Sequence, residues 1–402
     1  MNAVGIDVSK GKSTVVILRP FGEIVVSPYE VKHTDSEITA LIKRIKAIDG
    51  ETRIVMEHTG HYYEQLLIRF AEAGLFATAV NPKLIKDFST NSLRKVKTDK
   101  ADSVKIARYA LDRWDELIPY TEIDGLRSQL KQLNRQFVFY TKNKTALKNN
   151  LITLMDQTFP GINALFTGAT RPDGSQHWVD FVETYWHADC VRKMSKNAFI
   201  THYGKWCGKH GYKKSTKKPE QVYMYAKDLV CVLPKDETTK MLVQQAVEQV
   251  RVVSAAIEHY RSQMNSIASK LPEYEVVMGM TGIGISLGPQ LMAEIGDIKR
   301  FSHKGALTAY AGVDPGVNQS GMYNQISKRT TKRGSAELRR TLYMVAEVLL
   351  KTKPKDDPVY MFLCKKRAEG KPYFVYMTAT ANKFLRVYYG KVNEYLDSIV
   401  EK

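Results

Sequence analysis

Apolar and polar residues along the first 120 positions alternate in the manner of strands separated by helices. Residues 4–8, 13–19 and 23–31 are β-rich runs joined by short turns, and this pattern predicts an antiparallel meander. The strands and helices that follow alternate, which predicts a layered α/β domain. These further elements are a helix at 36–48 with Asp35 or Ser36 as its N-cap, a strand at 53–57, a helix at 62–73 and a strand at 76–81.

Four carboxylates stand at positions where a layered α/β domain gathers its ligands. Asp7 lies in an otherwise apolar strand, and Glu57 ends a buried one. In open α/β sheets, ligands bind beyond the carboxyl ends of parallel strands. Asp99 and Asp102 share one face of a helix that Thr98 caps. Together the four acids supply oxygen ligands for two Mg²⁺ ions roughly 3.5 to 4 Å apart, an arrangement that suits phosphodiester cleavage.

Each of these acids also has an ordinary explanation. A lone aspartate such as Asp7 fits a strand end or a turn, and an Asp-x-x-Asp pair is commonly a solvated helix face. Two like charges this close repel each other unless a cation or basic groups lie between them. The metal interpretation therefore depends on the four acids acting together. The basic neighbours of the helix pair are Lys97, Lys100 and Lys105.

Two heptad seams predict a helical hairpin in the middle of the chain. Large residues repeat at alternating steps of four and three from Leu126 to Leu154, and a second seam runs from Val243 to Leu271. We expect an antiparallel coiled coil that also serves dimerisation. The first arm carries six Lys or Arg and no acid between Leu126 and Leu151. Its outer face either follows a phosphate backbone or is a solvated basic surface.

Between the arms, residues 159–236 combine aromatic with basic residues. Runs such as Lys213-Lys214 and Lys217-Lys218 lie among the aromatics. This composition suits stacking on unpaired bases, but it also fits a small folded insert whose aromatics form their own core, and we favour the second for most of them. The aromatic residues are Trp178, Tyr185, Trp186, Tyr203, Trp206, Tyr212, Tyr223 and Tyr225.

The charge balance points to a polyanionic partner. The chain of 402 residues carries 60 Lys and Arg against 42 Asp and Glu, a net charge of +18, which favours nucleic acid. No apolar run approaches the roughly 20 residues that a spanning helix requires, and the N-terminus lacks the regions of a signal peptide, so we expect a cytoplasmic protein without a membrane partner. The four cysteines form no Cys-x-x-Cys pair and fit reduced thiols.

A glycine-rich stretch at 280–288 precedes another predicted helix. Its glycines resemble a dinucleotide loop, but no strand precedes them and no ribose-binding acid follows. A helix-hairpin-helix is more natural, because Gly282 and Gly284 would let backbone N–H groups approach DNA phosphates.

Three stretches of the first domain resemble a known family. Residues 4–10, 54–60 and 97–111 resemble the ribonuclease-H-like, RuvC-type domain of the DEDD transposases, the insertion-sequence one-ten group. The resemblance implies an α/β ribonuclease-H-like fold for the first domain and a Mg²⁺ site. Its four acids would be Asp7, Glu57, Asp99 and Asp102.

Residues 281–345 resemble the C-terminal transposase domain of the same group, through Ala-Tyr-Ala-Gly-Val, Gln-Ser-Gly and Arg-Arg-Thr-Leu-Tyr. The essential serine of the family falls on Ser320, which as bare sequence is an ordinary turn residue. The resemblance implies that this serine attacks a DNA phosphate and forms a covalent link, and it allows serine and acids to come from different subunits. Basic residues that follow would hold phosphates or RNA, unless they form a solvated helix face: Lys328, Arg329, Lys332, Arg333, Arg339 and Arg340.

The residue patterns and the resemblance together predict three domains: a RuvC-like domain at 1–122, a coiled-coil hairpin with its insert at 123–273, and a mainly helical transposase domain at 274–402 with a helix-hairpin-helix-like element. The expected protein is an insertion-sequence recombinase that works as a dimer or tetramer. Its partners would be double-stranded DNA, at the element ends and the target, and a structured noncoding bridge RNA encoded by the element. A guide RNA accords with the lack of an evident base-reading module in the sequence.

Three other functions are open on the residues alone. A RuvC-like endonuclease or Holliday junction resolvase needs the four acids but not Ser320. An actin-like kinase shares the opening strand, acid and hairpin, but the charge of +18 argues against it. A non-catalytic nucleic-acid binder would need neither metal nor acids.

Overall fold

The computed structural model describes residues 1–58, 60, 62–89, 98–120, 125–314, 319–320, 323–324 and 330–400, and of Ser320 only the backbone. The chain divides into two compact units, Met1–Glu122 and Ile123–Lys402. The division into three domains stays a prediction.

The first unit is a mixed α/β layer structure. Its sheet has five strands in the order β3-β2-β1-β4-β5, with β1 antiparallel to β2 and parallel to β4. The sheet therefore brings the first and fourth strands side by side in the same direction. The elements are β1 (Asn2–Ser9), β2 (Lys12–Leu18), β3 (Ile24–Lys32), α1 (Asp35–Lys46), β4 (Thr52–Glu57), α2 (Tyr62–Glu72), β5 (Phe76–Val80), α3 (Pro82–Ser89) and α4 (Asp99–Asp112).

Helices cover both faces of this sheet. One face buries apolar residues of β1 and β4, such as Val4 and Ile54, with α1 and α2. The other face buries Ala3 and Val55 with α4. The alternation predicted from the sequence is confirmed. The expected N-cap of α1 was wrong, because the hydroxyl of Thr34, rather than Asp35 or Ser36, accepts the N–H of Glu37.

The second unit is almost entirely helical. Short 3-10 turns connect several of its helices. The elements are α5 (Gly125–Thr158), α6 (His177–Thr184), α7 (Asp189–Arg192), α8 (Lys196–Lys209), α9 (Lys217–Lys227), α10 (Glu237–Ala268), α11 (Tyr274–Met278), α12 (Leu287–Ile295), α13 (Lys304–Ala311), β6 (Gln319–Ser320), β7 (Tyr323–Asn324), α14 (Ala336–Thr352), α15 (Pro358–Ala368) and α16 (Tyr373–Val400).

The long helices α5 and α10 pack against each other in opposite directions. Tyr140 of α5 stacks on Tyr260 of α10 with ring centroids 5.4 Å apart. Leu130, near the start of α5, shares a core with Met264, near the end of α10. The predicted pair of arms is therefore present and antiparallel. The coiled-coil description and the dimerisation inferred from it stay predictions.

The insert between these arms has a core of its own. Most of its aromatic residues are buried among one another: Trp206, for example, stacks on Tyr212 at 5.3 Å. Arg251 of α10 binds Glu183 and Asp180 of α6, which ties the insert to the arm. The interpretation as an aromatic core is confirmed, and these side chains do not form an open stacking surface. Of these aromatic residues, Tyr225 is exposed, with 37 % of its surface accessible to solvent.

The rest of the unit packs around α12, all of whose residues are buried, and α16. The last two described helices, α15 and α16, lie on either side of residues 369–372. Among helices in the described parts of the chain, none is both long and apolar enough to cross a bilayer.

Candidate active site

Asp7 lies two residues before the end of β1, Glu57 ends β4, and these two strands are parallel neighbours. In the pairing of β1 with β4, Ile6 lies opposite Met56, so the two acids are the next residues of each strand. Successive strand residues alternate between faces, and Val55 belongs to the face that α4 covers. Asp7 and Glu57 therefore lie on the α4 face, near the carboxyl ends of their strands.

The helix α4 brings two more carboxylates to this edge. The Thr98 hydroxyl caps it by accepting the N–H of Ala101 at 3.2 Å. The helix packs directly on Gly5: a Cβ added there would lie 2.3 Å from the carbonyl oxygen of Ser103. The close approach holds the first turn of α4, with Asp99 and Asp102, near the face of β1 that carries Asp7.

The electrostatics of the acids show that they converge. Burial, and then the charges of Asp99 and Asp102, raise the pKa of Asp7 to about 6. Burial, and then Asp7 and Asp102, also raise the pKa of Glu57, while Lys105 opposes the rise. Like charges shift one another's pKa values in this way only at close range. The structure therefore brings the four predicted acids together.

Lys105 partly neutralises the cluster. Its ammonium group donates to Asp102 at 2.7 Å, with both side chains about a third exposed. This ion pair is the i, i+3 neighbour relation expected of a solvated helix face. The ion pair with Lys105 is thus what the solvated-face explanation expects of Asp102. The contribution of the Asp102 charge to the raised pKa values of Asp7 and Glu57 is what the acid cluster expects.

The donor chemistry fits a hard divalent cation. Carboxylates that repel one another lose that repulsion when a cation lies among them. As the side chains stand, no three His, Cys, Asp or Glu residues in the described ranges are placed as ligands of one ion. Binding of one ion by three of these acids would therefore require side-chain rotation at the cluster.

Ser320 lies at the end of a short β-hairpin in the second unit. The strand β6 pairs antiparallel with β7, and Ser320 is opposite Tyr323. The chain ends that lead into and out of this region are tied together: the Thr331 hydroxyl donates to Asp314 at 2.7 Å. The side chain of Ser320 lies outside the described residues, so its catalytic role stays a prediction.

The predicted basic residues divide into two groups. Arg339 holds the backbone, donating to the carbonyl oxygens of Ala311 and Gly334 at 2.9 and 3.2 Å. The other described members, Lys332, Arg333 and Arg340, are exposed. Lys328 and Arg329 lie outside the described residues.

The glycine loop has a structural explanation. Gly282 adopts φ +83°, a conformation that favours glycine, and its missing Cβ would lie 3.1 Å from Leu349. Gly284 has open space around it. Phosphate binding by this loop, and the helix-hairpin-helix, stay predictions.

Sequence reasoning missed Gly5, the residue that lets α4 approach β1 and so brings Asp99 and Asp102 near Asp7. A signal was present, since an isolated glycine in an apolar strand indicates close backbone approach. It also missed the distribution of charge. Met1–Glu122 holds 18 Lys and Arg against 17 Asp and Glu, so of the net +18, +17 belongs to Ile123–Lys402.

Comparisons with known proteins bear on both units. A family model described as "Transposase" matches residues 4–160. A second, described as "Transposase IS116/IS110/IS902 family", matches residues 274–360. Together the two matches cover more than half of the chain and include every one of the predicted acids and Ser320.

Two curated relatives are similar in sequence. The uncharacterized 44.8 kDa protein of insertion element IS116 from Streptomyces clavuligerus is 23 % identical over 370 residues, which is 91 % of this chain and 88 % of the relative. The uncharacterized 42 kDa protein of insertion element IS900 from Mycobacterium paratuberculosis is 24 % identical over 165 residues, 41 % of this chain and 40 % of the relative.

Two solved structures of Thermus thermophilus RuvC are also similar. The one in complex with a Holliday junction substrate is 12 % identical and covers 29 % of this chain and 96 % of its own, with a TM-score of 0.23. The other is 14 % identical and covers 30 % of this chain and 98 % of its own, also with a TM-score of 0.23.

Proposed function

Because the chain belongs to the IS116/IS110/IS902 family of transposases, we propose that it cuts and rejoins DNA with Ser320 as nucleophile and with Asp7, Glu57, Asp99 and Asp102 as the Mg²⁺ site. The observation that carries the proposal is the convergence of these acids near the ends of β1 and β4 and the start of α4. Acids on rigid elements keep their positions, as a phosphoryl-transfer site requires.

The serine exchanges one phosphorus–oxygen bond for another. The hydroxyl oxygen of Ser320 bonds to a DNA phosphorus, the bond from phosphorus to one sugar oxygen breaks, and that oxygen takes up a proton while the serine loses one. The hydroxyl group of a second strand then displaces Ser320 and restores a phosphodiester. No net hydrolysis occurs, so rejoining needs no external energy source.

A serine hydroxyl is a weak nucleophile and needs activation. Mg²⁺, held by the four acids, would supply electrostatic stabilisation of the charge on the reacting phosphate. Lys105 has a complementary part: it neutralises Asp102 when no cation is bound, at a contact of 2.7 Å. We also propose that the serine and the acids of one active site come from different subunits of an oligomer, as the family resemblance allows.

The partners follow from charge and family. The excess of +17 in Ile123–Lys402 supports binding of double-stranded DNA and of a structured noncoding RNA. We propose that this RNA is encoded by the element and selects the DNA by base pairing.

The test is strand cleavage on a plasmid that carries the element ends, with the RNA transcribed from its flanks. Wild type is expected to cut only with Mg²⁺ and RNA, and Glu57→Gln and Ser320→Ala should not cut. Asp112→Asn, at the far end of α4, is the matched control and should cut normally. Full cutting by Ser320→Ala would instead favour a RuvC-like nuclease without a serine intermediate.

A further inference from the structure

A cavity of about 320 Å³ opens in the second unit, and two of its lining residues, Val313 and Thr330, flank in sequence the segment that carries Ser320. These two residues form one wall. The others come from α14 and from the start of α16, through Arg340 and Phe374. Its volume is at the lower end of the range for small-molecule pockets, which is the scale of one nucleotide.

Two cations that line this cavity have no partner among the residues that the structure describes. Lys332 and Arg340 both line it and are exposed. Neither side chain forms a hydrogen bond or an ion pair with any residue that the structure describes. Lys332 also has φ +51°, which is uncommon for a residue other than glycine and strains the backbone. Such strain is typical of functional positions.

The described lining has no carboxylate, so nothing in it offsets these two positive charges. Arg339 also lines the cavity, but its guanidinium is bound to backbone carbonyl oxygens. As far as the described residues show, the cavity therefore offers two unpaired cations and favours an anion such as a phosphate group.

An exposed aromatic ring stands at the same cavity. The side chain of Phe374 is 72 % exposed, and its ring lies edge-on to Tyr373 with centroids 5.2 Å apart. Two other lining residues, Tyr343 and Thr378, share a hydrogen bond between their hydroxyl groups, which fixes that part of the cavity wall. An open phenyl face next to free cations is the combination that proteins use to stack an unpaired base and hold its phosphate.

We propose that this cavity, the nucleotide cavity, binds one unpaired nucleotide of a DNA or RNA strand. The base stacks on Phe374, and its phosphate is bound by Lys332 and Arg340. Paired bases are stacked on their neighbours and present no free face, so a duplex does not fill the cavity. The inference rests on the proposed function only in that the chain acts on nucleic acid.

The experiment measures binding by the full chain to fluorescent eight-residue oligo(dT) and oligo(rU), and to a DNA duplex, by anisotropy without Mg²⁺. Phe374→Ala should weaken single-strand binding about tenfold, and Phe374→Tyr should restore it. The difference between the two oligonucleotides then identifies which strand is preferred. Arg340→Ala should reduce the salt slope for single strands by about 0.7.

Two exposed residues elsewhere in the same unit are matched controls. Phe139→Ala removes a ring that is 54 % exposed on α5, and Lys351→Ala removes an exposed cation at the far end of α14. Neither should change single-strand binding by more than about twofold. The proposal is overturned if Phe374→Ala has no larger effect than Phe139→Ala, if it weakens duplex binding equally, or if wild type binds neither oligonucleotide.

These outcomes separate the cavity from the proposed function. If wild type cleaves DNA but Phe374→Ala binds single strands as tightly as wild type does, the nucleotide cavity is refuted and the proposed function stands. If single-strand binding depends on Phe374 but wild type does not cleave DNA, the nucleotide cavity stands and the proposed function is refuted.

Discussion

Single residues decide how the acid cluster behaves without metal. Asp7 is only half-buried, yet burial and two neighbouring aspartates raise its pKa to about 6, from an ordinary value of 3.8. In the folded protein it therefore holds a proton over a pH range in which the unfolded chain has lost it. A carboxylate in this position works against folding at neutral pH and becomes useful only when a cation offsets its neighbours.

We predict that Asp7→Asn stabilises the protein at pH 7.5 in the absence of divalent ions. The folded state binds more protons between about pH 4 and 6, so the stability of wild type falls as pH rises through that window. The gain from the variant should be roughly 1 kcal/mol, because solvent screens a half-exposed group. Thermal unfolding from pH 3.5 to 8 measures it.

Below pH 4 the difference between Asp7→Asn and wild type should vanish. Added Mg²⁺ should raise the melting temperature of wild type and not that of the variant, because only the native site binds the ion. A variant less stable than wild type at pH 7.5 would show that Asp7 is held by favourable contacts rather than by repulsion.

The elements around the site show what sequence can and cannot give. Periodicity predicted the strand that contains Asp7, the strand that ends on Glu57 and the helix that starts near Asp99, because those signals are local. The approach of α4 to β1 depends on contacts between residues about 100 positions apart, Gly5 and Ser103, which no local pattern contains. The function of the aromatic insert was ambiguous for a similar reason. The same mixture of aromatic and basic residues can form a core or a stacking surface, and only the packing decides between them.

The contact between α4 and β1 leads to a prediction for Gly5→Ala. The new Cβ would lie 2.3 and 2.5 Å from backbone atoms of Ser103 and Ala107, so helix and strand must separate. We expect a loss of about 3 kcal/mol in the free energy of unfolding, measured by urea titration. Cleavage activity should fall as well, because Asp99 and Asp102 move with the helix.

The control for that substitution is Gly204→Ala. Gly204 lies inside α8, where an added Cβ meets no atom within 4 Å. Alanine should leave stability unchanged or raise it by up to about 1 kcal/mol. If both variants were equally stable, the packing of α4 on Gly5 would not be what positions the acids.

At the scale of the whole molecule, the four acids and the excess of positive charge belong to different units. The acids belong to a unit with 18 basic and 17 acidic residues, and the excess of +17 belongs to the other. Binding to phosphates is thus expected to come from Ile123–Lys402, and metal chemistry from Met1–Glu122. The cavity is not visible in a motif, because its lining residues come from separate elements, and the charge separation needs the boundary between the units.

We predict that Met1–Glu122 alone binds duplex DNA weakly and with a small salt slope. Full-length protein should bind tightly, and the logarithm of its binding constant should fall steeply with the logarithm of salt concentration. Anisotropy titrations from low to high salt compare the two. Equal slopes would contradict the assignment of the phosphate contacts to the second unit.

The most direct test of the central claim is a search for a covalent link between protein and DNA. Wild type, Mg²⁺, element-end DNA and the flanking RNA are mixed, and products are separated under denaturing conditions and identified by mass spectrometry of the Ser320 peptide. We predict a phosphoserine-linked DNA adduct that is absent from both Ser320→Ala and Asp7→Ala. Cleaved DNA without any adduct, formed equally by Ser320→Ala, would contradict the account and leave a metal-dependent nuclease.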